Sequence, residues 1–170
     1  ETDNLIFKKS FEVNVIALSH FLNSIEKINS KARLFYASSS HIFSDYNGKI
    51  QNENTKKNPR NVYAISKYAG MMACAYYREH KKVFASCGIL YNHESSLRSI
   101  NFLSRKVTKA AVAIKRKGRD KLILGNLDAR VDWGYAPDYV DAMYRILQSD
   151  TATDYIIASG KLHTVRQLVE

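Results

Sequence analysis

Short apolar runs alternating with segments of helical spacing predict an α/β protein with a mainly parallel sheet. Three observations point there. Leu34-Phe35-Tyr36-Ala37 and Val83 to Leu90 read as buried strands, and each is separated from the next by a helical pattern. Both end in polar segments, Ser38-Ser39-Ser40 after the first and Tyr91 to Ser99 after the second, at the strand ends where ligands collect in such sheets. A further strand from Asp154 to Ala158 follows another helix late in the chain.

The elements follow in order. Phe11 to Ile28 carries Val13, Ile16, Ala17, Phe21, Leu22 and Ile25 at near-helical spacing, so a helix leads into the first strand. Asn47-Gly48 and the polar stretch Gln51 to Asn61 read as loop, and Pro59 precedes a helix from about Val62 to His80. After the second strand and its loop, Asn101 to Lys117 is a helix, Lys121 to Leu124 a strand, and Ala136 to Gln148 a helix with Pro137 tolerated in its first turn. Gly160 and Thr164 frame a turn and the N-cap of a final short helix. Gly48, Gly70, Gly88, Gly118, Gly125, Gly134 and Gly160 stand singly, so the phosphate-binding turn that opens a complete dinucleotide fold is not in these 170 residues.

Composition bounds the function. With 45% apolar and 25% charged residues, the chain reads as one ordinary globular length, with no apolar run near the ~20 residues that span a bilayer. Glu1-Thr2-Asp3-Asn4 does not read as a signal peptide, and Cys74 and Cys87 lack metal-ligand or disulfide-framework spacing. A soluble, cytoplasmic protein with reduced thiols is expected. The net charge of +10 gathers in Arg105, Lys106, Lys109, Lys115, Arg116, Lys117, Arg119 and Lys121. No helix-turn-helix or stacking pattern accompanies it, so nucleic-acid binding gives way to a solvated basic face, of which a small anionic ligand would use one or two cations.

The chemistry lies in Tyr63-Ala64-Ile65-Ser66-Lys67 and the serines before it. A Tyr four residues ahead of a Lys on one helix puts a phenol and an ammonium on one face, where the cation can lower the phenol's pKa for alcohol–ketone chemistry. With 11 tyrosines in the chain such a spacing arises by chance, so its surroundings decide.

Those surroundings resemble the extended short-chain dehydrogenase/reductases, and within them the GDP-mannose 4,6-dehydratases. Beyond Tyr63-x-x-x-Lys67, the matching segments are Gly88-Ile89-Leu90-Tyr91-Asn92-His93-Glu94-Ser95, Asn101-Phe102 with Arg105-Lys106, Leu124 to Ala129, Asp132-Trp133-Gly134 and Asp138-Tyr139-Val140. The resemblance covers nearly the whole chain. It implies part of a Rossmann-type domain for residues 1–92, and for 93–170 mostly a GDP-sugar-binding region with a strand returning to the Rossmann sheet. It also implies a central fragment of a longer enzyme, working as a homodimer or homotetramer.

In the reaction that the resemblance implies, hydride passes from sugar C4 to NADP, water is lost across C5–C6, and hydride returns to C6 of GDP-mannose or a related GDP-sugar. Tyr63 would take the C4 hydroxyl proton, Lys67 would lower its pKa and hold the nicotinamide ribose, and Ser39 would hydrogen-bond the developing ketone. His93 and Arg98 match NADP-contacting positions. Asn92 and Lys106 match positions that hold the nucleotide diphosphate, and Ser40 and Asn101 join them on the substrate side.

The chain also departs from the pattern. His41 stands where the family has the Glu that removes the C5 proton; an imidazole of ordinary pKa ~6.5 is a base at neutral pH but lacks a carboxylate's charge and reach. Val131 and Leu97 replace arginines, with Arg130 next to the first, while Tyr135 replaces a His and Ser44 a Gly. A lost charged partner costs ~1.5–3 kcal/mol. Two alternatives stay open: a GDP-sugar 4-oxidoreductase or epimerase without dehydration, and a non-catalytic remnant.

Overall fold

The structure is a computed structural model that describes residues 2–43, 50–118 and 121–170. Asn47-Gly48, Ser44 and Arg119 lie outside the described residues. By its internal contacts the chain divides into two compact units, Glu1–Leu90 with Asp141–Ile157, and Tyr91–Val140 with Ala158–Glu170.

In the first unit, α1 (Thr2–Phe11) runs through a π turn (Glu12–Ile16) into α2 (Ala17–Ile28). Then come β1 (Arg33–Ser39), a 3-10 turn (Ser40–Phe43), α3 (Val62–Lys81), β2 (Phe84–Leu90) and, late in the chain, β5 (Asp154–Ile157). The sheet is parallel in the order β1-β2-β5, with Ala37 opposite Gly88 and Gly88 opposite Tyr155. This bears out the α/β fold with a parallel sheet.

The core of this unit lies between the sheet and the helices. Leu22 of α2, Cys74 of α3, and Ala85, Cys87 and Ile89 of β2 are fully buried, with Leu18, Met71 and Val83 around them. β2 is buried along nearly its whole length, as expected of a central parallel strand and of its unbroken apolar run. Both cysteines are free thiols in this core. Gly88 permits the packing, because a Cβ there would meet the Phe35 ring at 2.3 Å. Arg78 of α3 ties the layers together, donating to the Ala85 carbonyl at 2.8 Å and pairing with Asp154 of β5 at 3.0 Å.

The second unit holds β3 (Asn92–Glu94), α4 (Leu103–Lys115), β4 (Arg130–Tyr135), β6 (Leu162–Thr164) and α6 (Val165–Val169). β3 pairs parallel with β4, and β6 antiparallel with it. Asp132 is buried in β4 and accepts the backbone N–H groups of Ser159 and Gly160 at 2.9 and 2.8 Å, which satisfies a carboxylate that would otherwise be costly to bury. Thr164 caps α6 as expected, in a reciprocal capping box with Gln167.

Four expectations change. Helix precedes Phe11, back to Thr2, although its apolar residues Leu5, Ile6 and Phe7 are exposed and make no buried stripe to read. Asn92–Glu94, expected as loop, is a short strand, and β4 and β6 were not foreseen, being three to six residues long and rich in polar groups. Lys121 to Leu124 forms no strand. Leu122, Ile123 and Leu124 instead line an apolar cavity of about 550 Å³ with Val107, Ala111 and Ile114 of α4, so the run finds its apolar partner in a helix rather than a ladder. α5 (Ala136–Gln148) matches the expected span, Pro137 included.

Candidate functional site

The site in the first unit stands where the C-terminal end of β1 meets the start of α3. Asn61 caps α3, its side chain accepting from the Ala64 N–H at 2.8 Å, and so sets the position from which Tyr63 and Lys67 project one turn apart. Tyr63 is 46% exposed, its ring open to solvent. Lys67 reaches the end of β1: Nζ donates to the Ala37 carbonyl at 2.9 Å and lies 5.7 Å from the Tyr63 ring centroid. Burial lowers the Lys67 pKa below its ordinary value.

Two residues beyond Ala37, Ser39 is buried and its Oγ accepts the His41 N–H at 3.3 Å. His41 is exposed on the 3-10 turn, and its ring meets the Tyr63 ring edge-on with centroids 6.0 Å apart. Ser39, His41, Tyr63 and Lys67 are thus gathered around one strand end, with half-buried Ser40 beside them.

A support that the sequence reading missed lies behind them. Ser66, fully buried, donates to the Tyr63 carbonyl at 2.8 Å and accepts from Asn14 Nδ2 at 3.0 Å. The Asn14 carbonyl accepts from the Tyr36 hydroxyl at 3.1 Å, and the Tyr36 ring lies 5.3 Å from Lys67 Nζ. The available signal was one Asn among the apolar residues Val13, Val15 and Ile16.

In the second unit, Asn92 and His93 lie on β3, opposite Trp133 and Gly134 of β4. The His93 ring stacks on Tyr139 at 4.7 Å, with Nδ1 2.8 Å from the Tyr91 carbonyl oxygen. The Tyr139 hydroxyl is buried without a hydrogen-bond partner among the described residues, and burial first, then the Asp132 charge, raises its pKa to about 12. The Arg98 guanidinium covers the Phe102 ring at 3.6 Å. Its Nε lies 3.3 Å from Glu94 Oε2, but the N–H is not aimed there and makes no hydrogen bond. Lys106 is exposed on α4, where it lines a groove of about 220 Å³ with Ile100 and Lys109, and Asn101 is exposed just before that helix.

Arg105, Lys106, Lys109, Lys115, Arg116 and Lys117 are all exposed, as the reading of a solvated basic face requires. No group of three metal-ligating side chains occurs among the described residues. No helix among them is long and apolar enough to cross a membrane.

Solved structures share this architecture. A Pseudomonas aeruginosa protein, RMD complexed with NADPH, superposes with a TM-score of 0.88 at 20% identity, over 94% of this chain and 56% of that one. The dTDP-glucose 4,6-dehydratase of Bacillus anthracis in complex with NAD gives 0.82 at 22%, over 94% and 51%. The chain has the Rossmann-type α/β fold of these two structures.

Sequence comparison narrows the class. The family described as GDP-mannose 4,6 dehydratase matches residues 8–170, and this chain belongs to it. GDP-mannose 4,6 dehydratase of Drosophila melanogaster is 39% identical over 161 residues, covering 94% of this chain and 41% of the relative. The human enzyme is 37% identical over 158 residues (93% and 42%), and that of Sinorhizobium fredii 42% over 140 residues (82% and 40%). The chain spans about two fifths of the length of these relatives.

Proposed function

We propose that the full protein carrying this chain is an NADP-using enzyme of the GDP-mannose 4,6-dehydratase type. It converts GDP-mannose or a related GDP-sugar to a GDP-4-keto-6-deoxy sugar. The observation that carries this reading is the convergence at one strand end of an open phenol, a half-buried ammonium 5.7 Å from its ring and a buried hydroxyl. The residues 1–92 belong on this reading to the cofactor side and most of 93–170 to the GDP-sugar side.

Tyr63 takes the proton of the C4 hydroxyl, and Lys67 favours its phenolate by charge. The Ser39 hydroxyl donates to the carbonyl forming at C4. NADP, when bound, supplies the oxidation at C4 and the later reduction at C6. The donor set fits it: Lys67 uses one N–H on Ala37 and keeps two for ribose hydroxyls. His93 and Arg98 are assigned to the cofactor as well; Arg98, with Nε 3.3 Å from Glu94 Oε2, would offer its terminal guanidinium N–H groups to an anionic oxygen. Ser40, Asn92, Asn101 and Lys106 are assigned to the GDP-sugar.

His41 supports a second reading. Its ring lies edge-on to Tyr63 at 6.0 Å, which supports a role for the imidazole as a base on the sugar, yet it brings no carboxylate charge to the elimination. The protein would then be a GDP-sugar 4-oxidoreductase or epimerase. Incubation of the full-length protein with NADP and GDP-mannose, read by mass, separates the two. Loss of one water supports the dehydratase; loss of two hydrogens, or an isomer of unchanged mass, supports the alternative. If neither NADP nor a GDP-sugar binds, both are wrong and the non-catalytic remnant stands. The 170 residues alone are expected to bind NADPH weakly in calorimetry, since they hold no glycine-rich turn. Two unbridged thiols fit a cytoplasmic setting, and self-association into dimers or tetramers is expected.

A further inference from the structure

Among the described residues no carboxylate pairs with Lys67. A half-buried ammonium usually takes one, because burial penalises the charge and a flexible four-carbon stem gives it many positions. Here Nζ has the Ala37 carbonyl at 2.9 Å, the Tyr36 ring at 5.3 Å and the Tyr63 ring at 5.7 Å. Both rings lie within the ~6 Å over which an aromatic face attracts a cation.

The two rings are held differently. Tyr63 is half exposed, whereas Tyr36 is 8% exposed and anchored at its far end, its hydroxyl donating to the Asn14 carbonyl of the π turn at 3.1 Å. Burial first, then neighbouring Cys74, Cys87 and Tyr63, keeps this phenol protonated well above its ordinary range, so it remains a donor to that carbonyl. The site is also shaped for it. A Cβ on Gly70 would lie 2.3 Å from the Tyr36 hydroxyl oxygen and 2.7 Å from the Asn14 carbonyl oxygen. The same Asn14 grips α3 through Ser66, whose hydroxyl donates to the Tyr63 carbonyl. One π turn therefore braces both the ring beneath Lys67 and the helix turn that carries Tyr63.

We propose that Tyr36 is a positioning residue: its ring, anchored to Asn14 and admitted by Gly70, holds the Lys67 ammonium beside Tyr63 where a carboxylate would otherwise be needed. This goes beyond the proposed function but rests on it for its catalytic consequence. A neutral ring holds the cation without neutralising it, so the positive charge stays available to Tyr63.

The test uses the full-length protein with Tyr36→Met, Tyr36→Phe and Gly70→Ala, and two readouts. The first is acylation of Lys67 by acetic anhydride, followed by mass spectrometry with Lys81 as internal reference. Loss of the ring opens access to the amine and removes its cation–π attraction, both of which favour acylation; relief of burial opposes them by raising the amine's pKa, so the reaction is run near pH 10, where that opposing effect is small. Tyr36→Met and Gly70→Ala are expected to raise Lys67 acylation about fivefold, and Tyr36→Phe, which keeps the ring but loses its anchor on Asn14, by no more than about twofold. Unchanged Lys67 acylation in folded Tyr36→Met and Gly70→Ala would overturn the proposal. The second readout is turnover of GDP-mannose. Tyr36→Met is expected to lower kcat about tenfold at unchanged KM, with Tyr36→Phe recovering most of it; a rise in KM at unchanged kcat would also overturn it. A wild-type protein without turnover sinks the functional reading alone, because the acylation readout requires no activity.

Discussion

Tyr63 and Lys67 differ in what surrounds them, and that difference sets their testable behaviour. Tyr63 is open to solvent and contributes little packing, so Tyr63→Phe in the full-length protein is expected to lower turnover by about 100-fold or more while leaving the unfolding free energy within ~0.5 kcal/mol. Steady-state assay and urea unfolding check the two halves of that statement. Lys67 is half-buried with its pKa lowered by burial, so between that lowered value and the ordinary 10.5 the unfolded chain holds more proton than the folded one. Stability from this group therefore rises with pH through that window and is at its lowest below it. Lys67→Met should flatten this rise in urea midpoints measured up to pH 10.5. The buried tyrosines act oppositely, since their raised pKa values withdraw stability as pH climbs past 10.0, and the comparison with Lys67→Met isolates the lysine. His41→Glu puts a carboxylate beside Tyr63, and a dehydratase should then eliminate water from the 4-keto intermediate faster than wild type, read from the proportion of dehydrated sugar.

Among elements, α3 matters most, because it carries the Tyr–Lys pair on one side and the core on the other. Cys74 and Met71 seat it on the sheet, and Gly70 allows its close approach to Tyr36. Its C-terminal half is held by Arg78, which joins three elements through Ala85 and Asp154 with about a fifth of each charged side chain exposed. Removing one partner strands the other, so Arg78→Met is expected to cost about 2–3 kcal/mol, measured by urea unfolding. Arg78→Met combined with Asp154→Asn should recover part of that loss, because neither charge is then left alone. Lys82, in the left-handed region at φ 58°, ends the helix, and its N–H bonds to the Tyr77 carbonyl.

At the scale of the whole molecule, most of the large apolar residues that the first unit leaves in solvent belong to its helices, Ile50 being an exception. Leu5, Ile6 and Phe7 of α1, Phe21 of α2, and Met72 and Tyr76 of α3 are each about half exposed or more. Isolated exposed apolars are ordinary, but six large ones on three helices of one unit suit a self-associating surface. The full-length protein is expected to sediment as a dimer or tetramer, and Phe7→Glu with Phe21→Glu to shift it toward monomer without loss of helical content.

Periodicity and local chemistry by themselves determined the strands β1, β2 and β5, the helices α3, α4 and α5, and the Thr164 cap. These signals are carried within each segment: an apolar run, a helical stripe, a side chain that bonds its own turn. The Tyr63-x-x-x-Lys67 pair was legible for the same reason, since one helix turn fixes its spacing. Tertiary structure alone decided the rest. β3, β4 and β6 exist because they find one another, and Lys121 to Leu124 is no strand because a helix offers it apolar contact. The brace formed by Asn14, Tyr36, Ser66 and Gly70 joins residues up to 56 apart in number, and no local pattern marks a carbonyl in a π turn that meets a phenol from a strand. Contacts of that kind depend on how elements pack, so the sequence showed the Tyr63–Lys67 pair and the fold showed what surrounds it.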